Sequence, residues 1–222
     1  MTPLPPSDPV LDSLTGAHAH LAESKGRAFR YQVDVAGFVA LQGERDARAW
    51  SDLQDLVGPG QPVSVSDPPP DWEVEWTTEG VQLVAVSLDT APDPAARVLG
   101  PADVPAMLDL VARTEPGPFR TRTVEMGTYL GLFSDDTLVA MAGERLRPPG
   151  WSEISAVCTD PAHRGRGLAG RLVRAIAHEI VARGDRPFLH AKATNTTAIR
   201  LYERMGFELV RHRTFTIART PG

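Results

Sequence analysis

Among its 222 residues the chain has a single cysteine, Cys158. One thiol excludes an internal disulfide and makes a cytoplasmic location the expectation. Long apolar runs are also missing. None approaches the roughly 20 residues that cross a bilayer, so no membrane partner is expected. The N-terminus, Met1-Thr2-Pro3-Leu4-Pro5-Pro6, has neither the basic start nor the apolar run of a secretory leader. These first residues read as a disordered lead-in. Dense basic clusters are absent, which argues against a nucleic-acid partner. No internal repeat of 20–50 residues is visible. The Gly-Lys-Ser/Thr ending of a nucleotide P-loop is absent as well.

What is present is an ordinary globular composition, 42% hydrophobic and 23% charged. The net charge of -5 is unevenly spread. Residues 1–95 carry a balance of -10 and residues 96–222 a balance of +5. That asymmetry predicts an N-terminal α/β region over 1–95 and a second domain over 96–222, joined near Thr90-Ala91-Pro92-Asp93-Pro94. The mildly basic second part suits an anionic ligand such as a polyphosphate.

The N-terminal region reads as mixed α/β without an identifying motif. Spacing predicts a helix over 10–22, a buried strand or short helix over 30–41, a helix over 48–57 and a strand over 81–88. The second part is sharper. A short strand at 97–99 leads into a helix from Pro101. Two strands, 128–133 and 137–146, flank Ser134-Asp135-Asp136 as a hairpin. A strand at 153–158 precedes a strongly amphipathic helix over 168–183, ended by Gly184. A strand at 188–192, a helix N-capped by Asn195 and two closing strands complete the order.

Between the strand at 153–158 and its following helix lies Asp160-Pro161-Ala162-His163-Arg164-Gly165-Arg166-Gly167-Leu168-Ala169-Gly170. Glycines let the backbone turn several N–H groups into one concavity. The helix N-terminus adds partial positive charge, and Arg164 and Arg166 add formal charge. The result is a candidate pyrophosphate cradle; the plain alternative is a basic glycine turn.

This segment resembles the GNAT superfamily of acetyl-CoA-dependent N-acetyltransferases, whose loop signature is matched by Arg164, Gly167 and Ala169. The second signature, a helix opening on Asn and closing on Tyr-x-x-x-Gly-Phe, is matched by Asn195, Tyr202, Gly206 and Phe207. The resemblance covers about 97–219, and Glu-Ile-Ser-Ala-Val-Cys-Thr at 153–159 looks most like its glycine N-acyltransferase-like branch. It implies a mixed α/β fold with a central, mostly antiparallel twisted sheet, splayed at the CoA-binding strand and covered by helices on both faces. Residues 1–95 would then be a degenerate half of the same fold, a wall of the acceptor pocket or a homodimer contact.

The resemblance further implies acetyl-CoA as cofactor, no metal, and an amine acceptor. Backbone groups of Ala156, Val157, Cys158 and Thr159 would pair with the pantetheine arm. The N–H groups of Arg164, Gly165, Arg166, Gly167, Leu168 and Ala169 would hold the pyrophosphate, and Asn195 would bond the arm. Tyr202 would lie near the thioester sulfur and protonate the leaving thiolate, or else be a core aromatic. Glu153 is the candidate base, acting directly or through a water, placed by strand alternation on one face with Ser155 and Val157, its pKa raised beside an apolar channel; the alternative is a structural carboxylate. His190 reads as a satisfied core histidine; the alternative is that it faces the acceptor pocket. Cys158 reads as a packed side chain rather than a nucleophile, and His18-x-His20 as a solvated helix rather than a metal pair. Phe119-Arg120-Thr121-Arg122 either contacts an anionic acceptor or is a basic surface loop. The function implied is N-acetyl transfer to a small amine, an amino acid or a peptide N-terminus; a non-catalytic acyl-CoA-binding sensor is the second reading.

Overall fold

The computed structural model describes residues 4–222; the start of the expected disordered lead-in, residues 1–3, lies outside the described residues. In chain order the helices are α1 (Pro9–Leu14), α2 (Ala47–Val57), α3 (Val104–Thr114), α4 (Leu168–Ala182) and α5 (Thr196–Arg204). The first strands are β1 (Ala22–Lys25), β2 (Ala28–Tyr31), β3 (Val39–Leu41), β4 (Pro62–Ser64) and β5 (Glu73–Ala85). The remainder are β6 (Arg97–Leu99), β7 (Tyr129–Ser134), β8 (Thr137–Glu144), β9 (Trp151–Thr159), β10 (Arg186–Lys192) and β11 (Phe207–Arg219).

β1, β2 and β3 form a small antiparallel sheet. The other eight strands form one sheet in the order β4-β11-β5-β10-β9-β8-β7-β6. Only β9 and β10 run parallel; every other pairing in this sheet is antiparallel. One face is covered by α4 and α5. Their Leu172, Val173, Ile176, Ile180 and Tyr202 pack on Leu83, Leu132, Ala140, Ile154 and Leu189. The opposite face is covered by α3, through Met107 and Leu110, and by the N-terminal elements, through Leu14, Leu21 and Tyr31 against Val84, Trp151 and Phe188. Apolar periodicity thus placed α4 well, except that Val181 points to solvent at 49% exposure. The two expected closing strands are one long strand, with a bulge between Leu209 and Arg211.

The expected boundary at residue 95 does not separate two cores. β5, from the acidic N-terminal region, lies between β10 and β11 in the middle of the sheet. Its Val81 and Leu83 join the core under α4, while Val84 joins the core under α1. The proline-rich stretch after β5 is pinned to α4, because Arg171 donates to both Asp93 oxygens at 2.7 and 2.9 Å.

The expected helix over 10–22 stops early. Thr15 caps α1 and Gly16 follows, so His18 turns inward and is 2% exposed. Its Nδ1 accepts from the Tyr31 hydroxyl and its Nε2–H donates to the Met126 carbonyl, both at 2.8 Å. His18 is therefore a core side chain, not a solvated one. Burial holds its pKa down at about 4. A lowered histidine pKa means that the unfolded chain takes up the proton first as pH falls. The neutral state's contribution is complete above about pH 6.5 and is lost between there and about pH 4, roughly 3 kcal/mol in total. Urea midpoints at pH 7 and 4.5 should therefore differ less for His18→Gln than for wild type. Equal losses in the two proteins would contradict this assignment.

Candidate active site

β9 and β10 pair only over Trp151–Ile154 and Arg186–Leu189. Beyond that point they part. β9 continues beside β8 alone, and β10 continues beside β5 alone, through the pairs His190–Gln82, Ala191–Val81 and Lys192–Gly80. Among the described residues the inner edges of 155–159 and 190–192 have no strand partner, which opens a V in the sheet. Extended backbone that lacks a partner is a template for an added strand-like ligand.

At the mouth of the V, β9 carries a bulge. Ala156 has φ 52, and the register with β8 slips between Gly143–Ser155 and Met141–Cys158. An alanine in the left-handed region costs about 1–3 kcal/mol, strain that tends to sit at functional sites. The bulge also shifts the strand's phase. Ala156 packs with the α3 core and Val157 with the α4 core. Val157 is thus on the face opposite Glu153, and the simple alternation expected over 153–157 fails there.

The loop after β9 turns through Gly165 (φ 77) and Gly167 (φ 74), a conformation that disfavours other residues. Gly167 is the N-cap of α4 and supplies no side chain to it. The first backbone bond returning into this cap comes from Arg171. The earlier N–H groups of α4 are therefore directed toward the exposed loop, where Arg164, Gly165 and Arg166 lie on the surface. Arg164 is steadied by donating to the Thr159 carbonyl at 3.3 Å. The Thr159 hydroxyl beside it is buried without a partner.

On the α4 and α5 face, Tyr202 is 7% exposed and stacks edge-on against Phe207 with centroids 5.9 Å apart. Burial raises its pKa to about 12, so the phenol keeps its proton at neutral pH. Asn195 caps α5, its Oδ1 accepting from the Ala198 N–H at 3.1 Å. That leaves its amide N–H groups, at an exposed position, as the available part of the side chain.

The opposite face holds a buried polar cluster. Glu153 is 0% exposed and accepts from Arg145 through Nε at 2.9 Å and Nη2 at 2.5 Å. It also meets His190 Nδ1 at 2.7 Å. Burial alone would raise this carboxyl's pKa, as expected from the sequence. The Arg145 guanidinium and His190 outweigh burial and hold it at about 2. The raised pKa expected for Glu153 is therefore corrected: near neutrality it is a fixed carboxylate, too weakly basic to take an ammonium proton itself. His190 is set between Glu153 and Gln82, whose Nε2 lies 3.0 Å from the ring Nε2.

Cys158 is a buried member of the α3 core, its thiol pushed up by burial, which leaves it unreactive as a nucleophile. The arginines at 120 and 122 are engaged in the fold. Arg120 donates to the Val33 carbonyl, and Arg122 binds Asp34, Glu125 and Gln32. Gln82 and Arg145 were missed in the sequence. The available signal for Gln82 was one amide within the apolar run Val81-Gln82-Leu83-Val84. Among the described residues no group of three or more His, Cys, Asp or Glu is placed to hold a metal ion, and no helix is long and apolar enough to cross a membrane.

The family model described as FR47-like protein matches residues 129–216. A GNAT-family protein from Novosphingobium aromaticivorans is 36% identical, with 96% of this chain and 97% of that one covered at a TM-score of 0.87. The chain belongs to the GNAT family of acetyltransferases. Among curated relatives, the N-alpha-acetyltransferase RimI of Mycobacterium tuberculosis is 39% identical over 85 residues, covering 37% of this chain and 52% of that protein. A mycothiol acetyltransferase of Saccharopolyspora erythraea is 34% identical over 82 residues, covering 36% of this chain and 27% of that protein. The chain thus spans about half or less of the curated relatives' own lengths.

Proposed function

We propose that this protein is an N-acetyltransferase that moves the acetyl group of acetyl-CoA directly onto a primary amine, in a small amine, an amino acid or a peptide N-terminus. The opening of the sheet between β9 and β10 carries this reading. It offers two unpaired strand edges to an amide-bearing arm, and the cradle at the start of α4 lies at the end of the same β9 strand. GNAT acetyltransferases use acetyl-CoA, and the residues present fit it. Ala156, Val157, Cys158 and Thr159 supply backbone to the arm, with Asn195 beside it. Residues 164–169 supply N–H groups and two arginines to the pyrophosphate. The names of the relatives, one an N-alpha-acetyltransferase and one a mycothiol acetyltransferase, agree with acetyl transfer, and the first with an amino acceptor. Residues 153–159 are what support the glycine N-acyltransferase-like branch.

When bound, acetyl-CoA supplies an activated acyl carbon and a thiolate leaving group. Backbone N–H groups at the Ala156 bulge stabilise the oxyanion that forms as the amine attacks. Tyr202, protonated and on the α5 face of the V, gives its proton to the departing sulfur. Tyr202→Phe should lower the rate of CoA thiol release by about 10²-fold while leaving acetyl-CoA affinity nearly unchanged. A variant with wild-type turnover would remove Tyr202 from this role.

A further inference from the structure

We propose that His190 is the proton acceptor of the transfer, held for that task by Glu153 at one ring nitrogen and Gln82 at the other. This rests on the acyl-transfer reading and names the base that reading requires. His190 is the first residue of β10 past its last pair with β9, so it stands where the V opens. It alternates with Leu189, which packs under α4, and therefore faces away from Tyr202. Acid and base thus approach the slot from opposite faces of the sheet. Phe188 and Phe215 meet the ring edge-on, with centroids 5.7 and 5.8 Å away. The side chain keeps 9% of its surface open, whereas the Glu153 side chain has none.

The hydrogen bonds on the two ring nitrogens suit a group that gains and loses a proton. In the neutral ring, Nδ1–H donates to Glu153 and Nε2 accepts from the Gln82 amide N–H. As it stands, the Gln82 carbonyl Oε1 is buried without a partner, although Gln82 is 0% exposed. Turning that amide over places Oε1 where it accepts from Nε2–H of the charged ring. Gln82 can therefore bond the ring in both charge states, and the Glu153 carboxylate neutralises the imidazolium. The other groups facing the cluster are fixed in charge. Arg145, the residue after β8, is bound to Glu153, and Tyr129 from β7 and Tyr31 from β2 are kept neutral because burial raises their pKa values. From β11, Arg211 is paired in register with Gln82.

The step balances within this set. The amine nitrogen bonds to the acetyl carbon, its proton passes directly or through one water to His190 Nε2 as the Gln82 amide turns and gives up that nitrogen, and the carbon–sulfur bond breaks with the thiolate protonated by Tyr202. Glu153 and Gln82 are positioning residues. Proton abstraction by a placed side chain contributes about 10²–10⁴-fold, so His190→Gln should lose that much in kcat/KM at neutral pH with acetyl-CoA affinity retained. Its remaining rate should rise steadily with pH as free amine accumulates, without the inflection that the base gives to wild type. Gln82→Leu should shift that inflection and lower the rate less.

The deciding experiment pairs these pH profiles with the side-chain ¹⁵N NMR titration of His190, identified by the signal missing from His190→Gln. The expected ring is Nδ1–H in its neutral form, takes up a proton reversibly in the folded protein, and loses its tautomer preference in Glu153→Gln. A ring held as Nε2–H, a ring that never protonates while the protein is folded, or a His190→Gln variant with the wild-type rate and profile would overturn the proposal. A wild type that acetylates no amine would contradict the acyl-transfer reading, and the ring titration would still decide the arrangement around His190.

Discussion

Expressed without residues 1–95, the segment 96–222 is expected to be unfolded, although it contains both sequence signatures. The reason is the place of β5. Its removal leaves β10 and β11 without the strand that pairs Gln82 with both His190 and Arg211. It also strips Val81, Leu83 and Val84 from two cores, each worth about 1.5–3 kcal/mol of burial. Those three side chains alone approach the 5–15 kcal/mol that separates folded from unfolded domains. The exposed inner strand edges would add an aggregation hazard. Circular dichroism and amide dispersion of the truncated chain check this. A cooperative melt from residues 96–222 alone would restore the two-domain division suggested by charge.

Glu153→Ala should destabilise the intact protein by about 3 kcal/mol, because it removes a buried carboxylate and leaves the half-buried Arg145 guanidinium without its counter-charge. His190 loses a partner in the same substitution. Glu153→Gln keeps the shape and part of the hydrogen bonding, so its cost should be clearly smaller. Chemical denaturation of both variants at pH 7 measures the difference. If alanine costs no more than glutamine, the Arg145–Glu153 pair is not an ionic anchor of the core.

The legible parts of the sequence were those set by local chemistry. Gly165 and Gly167 announced a turn that needs positive φ, and the apolar stripe of α4 announced a buried helix. Ser134-Asp135-Asp136 placed the β7–β8 hairpin. The parts that were not legible depend on register between distant segments. Residues 73–79, Glu-Val-Glu-Trp-Thr-Thr-Glu, lie outside the strand expected over 81–88, and nothing local says that β5 separates β10 from β11. Glu153 could be placed on its strand, but its pKa depends on Arg145 and His190, which pairing brings to it. The bulge at Ala156 was likewise invisible, because alanine carries no signature of a left-handed backbone. His18 was misread because the apolar spacing continued past Thr15 while the helix did not.

The proposed function is chemical transfer rather than ligand sensing. The most direct measurement supplies acetyl-CoA labelled with ¹³C in the acetyl group to the full chain, with a panel of amines, amino acids and short peptides, and follows both free CoA and labelled products by mass spectrometry. Labelled N-acetyl product and CoA are expected in equal amounts, both strongly reduced in Tyr202→Phe. Thermal stabilisation by acetyl-CoA with no labelled product from any acceptor would contradict transfer and favour a sensor.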